Sequence, residues 1–94
     1  MSFVGARVIV KGVVQGVGFR YWALKKSRNY DIAGRVANLP DGTVEIIVEG
    51  DRGPVEDFLA EIKVGPSYGH VSDMLVNWYN TPKGYKDFII THKG

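Results

Sequence analysis

With 94 residues, the chain has room for a single domain with one hydrophobic core. Its 45% hydrophobic and 23% charged residues exclude an intrinsically disordered protein, and its lack of cysteine excludes disulfides, a thiol nucleophile and thiolate metal ligands. Twelve basic and ten acidic residues leave a net charge of +2, which is too small to predict a nucleic-acid or membrane partner.

The first predicted element is a strand over about residues 5–12. The β-branched side chains of Val8, Ile9 and Val10 favour this conformation. Glycines then interrupt the pattern at three positions, where the lack of a side chain permits unusual backbone angles and close approach: Gly12, Gly16 and Gly18. A glycine-rich connection that ends in Arg20 therefore follows the strand.

A helix is predicted over about residues 20–30. Its inner face carries Ala23, Ser27 and Tyr30 at spacings of four and three residues. We expect the helix to end between positions 29 and 31, at an asparagine or aspartate in the left-handed cap conformation. The basic residues near its end are interpreted as a solvated face and not as a binding patch.

Two strands joined by a tight turn are predicted next, over residues 32–39 and 43–49. Proline, aspartate and glycine at positions 40–42 are typical turn residues. In the second strand, one set of alternate residues is hydrophobic and the other contains Glu45 and Glu49. This alternation predicts a half-buried strand with one hydrophobic face and one largely acidic face.

A second helix follows and has the most regular pattern in the chain. Pro54 suits its first turn, and Gly65 and Pro66 end it. Hydrophobic residues recur between these limits at the spacing of one helical face: Val55, Phe58, Leu59 and Ile62.

The last two predicted elements are strands. Met74, Val76 and Trp78 alternate in the first, and residues 85–91 form the second after a turn. The resulting order β-α-β-β-α-β, plus a short terminal strand, predicts an α+β, ferredoxin-like sandwich. Two helices would pack on one face of an antiparallel sheet. We expect one domain spanning residues 1–94.

The glycine-rich connection has two interpretations. If a helix starts near Phe19, its free N–H groups, its dipole and Arg20 all favour a bound anion. Alternatively, the glycines only turn the chain. Known nucleotide loops do not match, because Tyr21 stands where the dinucleotide motif has its third glycine and no Gly-Lys-Ser/Thr follows. The expected ligand, if there is one, is a small phosphate.

Other candidate catalytic groups are few. His70 and His92 are far apart and have no ligand spacing, so neither a metal site nor a histidine triad is predicted. The carboxylates between residues 45 and 51 are interpreted as a solvated face and not as an acid–base pair. Asn38, just before the turn, either bonds local backbone or orients a water against a phosphate in the loop.

Several segments of the chain resemble the acylphosphatases. The segment Gly12–Arg20 (GVVQGVGFR) has glycine, valine, glutamine and arginine at that family's spacing. Gly34–Asn38 (GRVAN), residues 65–67 and residues 85–90 extend the resemblance along the chain. Arg35 departs from the family's pattern, which usually has an aromatic residue at this position.

This resemblance implies hydrolysis of acyl phosphates to carboxylate and inorganic phosphate, without a metal or organic cofactor. It implies that Arg20 binds the phosphoryl group, that Asn38 positions the attacking water, and that backbone N–H groups surround the phosphoryl oxygens. The residues of this substrate-binding loop are Gln15, Gly16, Val17, Gly18, Phe19 and Arg20. Arginine suits the role because its planar fork of donors stays charged and can bind phosphate bidentately.

The expected setting is a cytoplasmic monomer with a small-molecule acyl phosphate as substrate, inorganic phosphate as competing product, and no nucleic-acid or membrane partner. The N-terminal residues lack a signal-peptide pattern, and no apolar run approaches membrane-spanning length. One alternative is an accessory module of a carbamoyl-transferring maturation protein, which the short chain disfavours. Another is a single-stranded RNA binder, but the strand containing Val44–Ile47 lacks stacking aromatics.

Overall fold

The computed structural model describes residues 2–92. Seven helices and strands follow one another in this part of the chain: β1 (Phe3–Val13), α1 (Phe19–Ser27), β2 (Ile32–Asn38), β3 (Val44–Asp51), α2 (Arg52–Val64), β4 (His70–Tyr79) and β5 (Phe88–Thr91). The limits of the expected domain, residues 1 and 94, lie outside the described residues.

The five strands form one sheet in the order β4-β1-β3-β2-β5. Strand β1 is antiparallel to both β3 and β4, and β2 is antiparallel to β3. The predicted ferredoxin-like fold is thus confirmed, with one difference. The terminal strand β5 runs parallel to β2, so the sheet is mixed.

Both helices pack on the same face of the sheet. Their buried side chains join those of β1, β2 and β3 in one core, whose members include Val8, Val10, Phe19, Ala23, Val36, Ile46, Val48, Val55, Phe58 and Ile62. The inner face predicted for α2 is confirmed, because all four of its hydrophobic positions are buried. Small buried side chains on α1, Ala23 and Ser27, let this helix lie close to the sheet. No helix within residues 2–92 is long and apolar enough to span a membrane.

The end of α1 differs from the prediction. No residue other than glycine has a positive φ in the described part of the chain, so the expected left-handed cap at positions 29–31 is wrong. The helix instead tightens at its end, where Arg28, Asn29 and Tyr30 donate to the carbonyls three residues before them. These bonds satisfy the last carbonyls without a left-handed residue.

Strand β3 is buried on both faces, and the predicted solvated acidic face is wrong. Glu45 is buried because two arginines from the neighbouring strands reach over it. Arg7 Nε on β1 lies 2.7 Å from its Oε2, and Arg35 Nη2 on β2 lies 2.9 Å from its Oε1. Arg35 therefore neutralises a buried carboxylate on the sheet face opposite the helices. Ion pairs, and not stacking aromatics, occupy this part of the face.

Glu49 is also buried, and it organises the chain between β4 and β5. Its Oε2 accepts hydrogen bonds from the Tyr79 hydroxyl (2.6 Å) and the Lys83 N–H (2.7 Å). Its Oε1 accepts bonds from the N–H groups of Gly84 (3.0 Å) and Tyr85 (3.4 Å). The terminal strand begins at Phe88, after this segment, and not at the predicted residue 85.

The Glu49 cluster predicts a pH-dependent stability. Burial raises the pKa of the Glu49 carboxyl, but the bonds from Tyr79 and three backbone N–H groups outweigh burial, and the net pKa lies below the ordinary 4.5. The carboxylate therefore stabilises the fold above pH 4.5, and we expect this contribution to disappear as the pH falls through the lowered pKa. Urea unfolding from neutral pH down to about pH 3 measures the change.

The variant Glu49→Gln tests this account. Its control is Glu56→Gln, which changes a glutamate on the exposed surface of α2. Glu49→Gln is expected to cost about 1–3 kcal/mol at neutral pH, since its amide group faces donors it cannot accept from. Its deficit should shrink in acid, where the parent carboxyl is protonated too. Parallel stability curves for the parent and Glu49→Gln would contradict this account.

Candidate functional site

A cleft of about 250 Å³ lies at the end of the sheet where β1 leads into α1 and β2 ends. It combines parts of the chain that are separate in sequence, and its lining residues are Val14, Gly16, Gly18, Phe19, Arg20, Tyr21 and Asn38. Five of the seven predicted site residues therefore line one cleft. The other two, Gln15 and Val17, do not line it.

The loop before α1 has a backbone shape that requires glycine. Gly16 and Gly18 both have φ of +75°, in the left-handed region that other residues rarely adopt. A Cβ at either position would meet no atom within 4 Å, so backbone conformation and not crowding selects glycine here. The loop is consequently shaped by its sequence before any ligand arrives.

The same loop carries backbone donors without protein acceptors. Helix α1 starts at Phe19, and the first N–H groups of a helix have no partner within the helix. Outside helices and strands, no backbone hydrogen bond in the described part of the chain has its donor between Gln15 and Tyr21. The first turn of α1 also contains no acidic residue. These N–H groups and the helix dipole favour an anion.

Two hydrophobic side chains fix the loop to the core. Phe19 is completely buried, and its ring lies 5.4 Å from that of Trp22. Val17, between the two glycines, also packs against the core. Their side chains anchor the loop, and only their backbone N–H groups are available as donors to a ligand.

Arg20 brings positive charge to the cleft. Its side chain is half-buried, and none of the ion pairs between residues 2 and 92 includes it. Its Nη1 lies 3.3 Å from Nδ1 of His92. A guanidinium has five donors, so this contact leaves most of them for a ligand. The charge of Arg20 is thus not cancelled by a described carboxylate.

Asn38 places a side-chain amide beside the loop. Its Oδ1 is buried and has no hydrogen-bond partner in the described part of the chain. The local backbone does not need it, because the Asp41 carboxylate accepts bonds from the N–H (3.0 Å) and Oγ1 (2.6 Å) of Thr43 in the turn. The alternative that Asn38 Oδ1 caps the turn is therefore wrong. A buried amide oxygen without a partner costs about 1–3 kcal/mol, unless water or a ligand bonds it.

Gln15 joins the loop to the hairpin that carries Asn38. Its Nε2 donates to the carbonyls of Leu39 (2.7 Å) and Thr43 (2.8 Å), which belong to the turn between β2 and β3. The sequence suggested only a backbone role for Gln15. Its side chain holds the two halves of the cleft together.

Removing this connection should destabilise the protein. We expect Gln15→Ala to lower the free energy of unfolding by about 1–3 kcal/mol, because two hydrogen bonds of about 0.5–1.5 kcal/mol each are lost. Both carbonyls keep a backbone donor, from Gly42 for Leu39 and from Leu39 for Thr43. Gln15→Glu should cost at least as much, since a carboxylate cannot donate to either carbonyl. Urea denaturation measures both, with Lys11→Ala on the exposed surface of β1 as the control. Parent-like stability of Gln15→Glu would show that these bonds contribute nothing.

A larger groove of about 500 Å³ lies between the helices, but its chemistry differs. Its cation, Lys26, lies 3.3 Å from Glu61, so its charge is already paired. Trp22, Val64 and Pro66 supply much of the remaining wall. An anion would find less positive charge there than beside Arg20.

The two histidines lie at opposite edges of the sheet, on β4 and just after β5. No group of three or more potential metal ligands occurs within residues 2–92. His92 nevertheless contacts Arg20. Sequence spacing could not reveal this contact, because it depends on the parallel pairing of β5 with β2.

Comparisons of sequence and structure with known proteins identify the same family. The model of the family described as Acylphosphatase matches residues 6–90. The acylphosphatase of Moorella thermoacetica is 41% identical over 90 residues, covering 96% of each chain. The crystal structure of acylphosphatase from Bacillus subtilis has a TM-score of 0.91 and 36% identity, covering 95% of this chain and 99% of that one. Full-length HypF, in its phosphate- and nucleotide-bound form, has a TM-score of 0.88 and 33% identity, covering 98% of this chain but 12% of HypF.

Proposed function

The chain belongs to the acylphosphatase family, and we propose that its amide loop and Arg20 bind the phosphoryl group of an acyl phosphate while Asn38 positions the attacking water. The reaction is that of an acylphosphatase, which hydrolyses the carboxyl–phosphate bond of an acyl phosphate to carboxylate and inorganic phosphate. One observation carries the assignment of residues. Unused backbone donors, an arginine without a described carboxylate partner and a buried amide oxygen without a partner meet in one cleft.

Phosphate binding is assigned to residues Gln15–Arg20. The N–H groups are fixed by the glycine conformations and the buried anchors, so they need no rearrangement when substrate arrives. Preorganised donors of this kind stabilise the charge that spreads over the equatorial oxygens in the transition state. The Arg20 fork adds a permanent positive charge and two directed bonds to the same oxygens.

Water positioning is assigned to Asn38. Its buried Oδ1 can accept a hydrogen bond from a water, which fixes the orientation of the water lone pair toward phosphorus. The water oxygen forms a bond to phosphorus as the bond between phosphorus and the bridging oxygen breaks, and the carboxylate leaves with that electron pair. The water proton passes to an oxygen of the phosphoryl group. Because carboxylate is a good leaving group, the chain needs no strong base or acid for this step.

We extend the proposal to the setting of the enzyme. Residues 1–94 act as one catalytic domain, as a monomer in the cytoplasm, without a cofactor, nucleic acid or membrane. Inorganic phosphate occupies the same cleft after the reaction and competes with substrate. Size-exclusion chromatography with light scattering tests the monomer, and competition by inorganic phosphate tests the shared cleft.

The similarity to a short part of HypF supports one alternative. In that case the chain would bind an acyl phosphate as a module of a larger assembly and release no phosphate alone. Incubating the purified chain with acetyl phosphate and with benzoyl phosphate separates the two functions. Phosphate release without a partner supports the enzyme. Saturable binding without phosphate release supports the module and refutes independent catalysis.

A further inference from the structure

The terminal strand brings a histidine next to Arg20. In the parallel pairing of β5 with β2, Ala37 lies opposite Thr91. The next residues in each strand direction are Asn38 and His92, so the pairing directs both to the same end of the sheet. His92 follows this strand of four residues and contacts Arg20, which lines the cleft together with Asn38.

A hydrogen bond between Arg20 and His92 requires one particular tautomer of the imidazole. A guanidinium has only donors, so the Nδ1 atom 3.3 Å from Arg20 Nη1 must accept the bond. The imidazole is then neutral and carries its proton on Nε2. A neutral acceptor at this position orients the guanidinium without cancelling its charge, whereas a carboxylate would compete with the phosphate for it.

We propose that His92 is a positioning residue for Arg20: its neutral imidazole holds the guanidinium at the cleft and leaves the remaining donors for the phosphoryl oxygens. This inference rests on the proposed phosphate-binding function of Arg20. Arginine has many rotamers, and fixing one of them on binding costs free energy. The His92 contact fixes the side chain before the phosphate arrives and so lowers that cost.

The test compares His92→Ala with His92→Asn, whose Oδ1 can replace Nδ1 as an acceptor. We expect His92→Ala to raise the Kd for inorganic phosphate and the KM for acetyl phosphate by about three- to tenfold, which corresponds to the cost of immobilising one rotamer-rich side chain on binding. The kcat should change little, because the cost of ordering Arg20 falls on the binding step and is the same for bound substrate and transition state. His92→Asn should recover most of the lost affinity. His70→Ala, at the opposite sheet edge, controls for loss of a histidine.

A second measurement examines the contact without catalysis. In the parent protein, ¹⁵N NMR should report the neutral Nε2–H tautomer of His92, and Arg20→Ala should lower the population of this tautomer. Unchanged phosphate affinity in a folded His92→Ala protein, or equal losses in His92→Ala and His92→Asn, would overturn the positioning role. If the proposed function is wrong, the parent protein itself will neither bind phosphate nor hydrolyse acetyl phosphate. This result is distinct from a failure of the positioning role alone.

Discussion

Arg20→Ala is expected to abolish detectable phosphate binding and to lower kcat/KM for acetyl phosphate by about 10³-fold or more. Among residues 2–92 the side chain is the one charged group that lines the cleft, and no described carboxylate neutralises it. Its loss removes two directed bonds and a full positive charge from the oxygens that gain charge in the transition state. Steady-state kinetics and phosphate titration by calorimetry measure both effects.

Arg20→Lys separates charge from geometry. Lysine keeps the positive charge but binds phosphate as a point charge, so we expect partial binding and a smaller recovery of turnover. Arg28→Ala, just after α1 and exposed to solvent, is the matched control for loss of an arginine. If Arg20→Ala hydrolysed acetyl phosphate at a rate close to that of Arg28→Ala, the phosphate site would have to lie elsewhere.

Asn38→Ala should give a different kinetic pattern from Arg20→Ala. We expect kcat to fall by about 10²-fold or more, because one preorganised group that acts on the nucleophile is lost. Affinity for inorganic phosphate should stay close to that of the parent, since the amide loop and Arg20 are intact. A loss in kcat with little change in affinity identifies an interaction that matters mainly in the transition state.

The stability of Asn38→Ala gives a second test of the role of Asn38. Its buried Oδ1 has no described partner, so alanine should cost the fold little and could stabilise it. Asn77→Ala on the exposed edge strand β4 is the control for losing an asparagine from a strand. Normal turnover in a folded Asn38→Ala protein would remove the water-positioning role, whereas a large loss of stability would show that the amide supports the fold.

The parts of the fold that depend on local pattern were predictable. Helix α2 follows from hydrophobic spacing between a proline and a glycine, and the hairpin follows from residues 40–42. The shape of the loop before α1 follows from glycines that local backbone geometry requires. The cleft itself was predictable only in outline, because it needs the ends of β1 and β2 to lie at the same edge of the sheet, on either side of β3.

The structure differs from the predictions where residues that are distant in sequence determine burial and contacts. The strand pattern at Glu45 and Glu49 predicted exposure, but partners from other strands and from the loop before β5 bury both carboxylates. Arg35, which has no evident role in a single strand, acquires one when sheet pairing sets it near Glu45. The side-chain role of Gln15 and the position of His92 likewise depend on register. Local sequence does not encode register directly.

The sheet order has a consequence for the sequence of events during folding. Val10 of β1 pairs with Val44 on one side and with Met74 on the other, so this interior strand gains its neighbours only after long loops close. The cleft beside Arg20 additionally needs β2, and the contact of Arg20 with His92 needs β5. Helix formation should therefore precede recovery of activity during refolding, and enzymatic turnover would report the final stage of assembly.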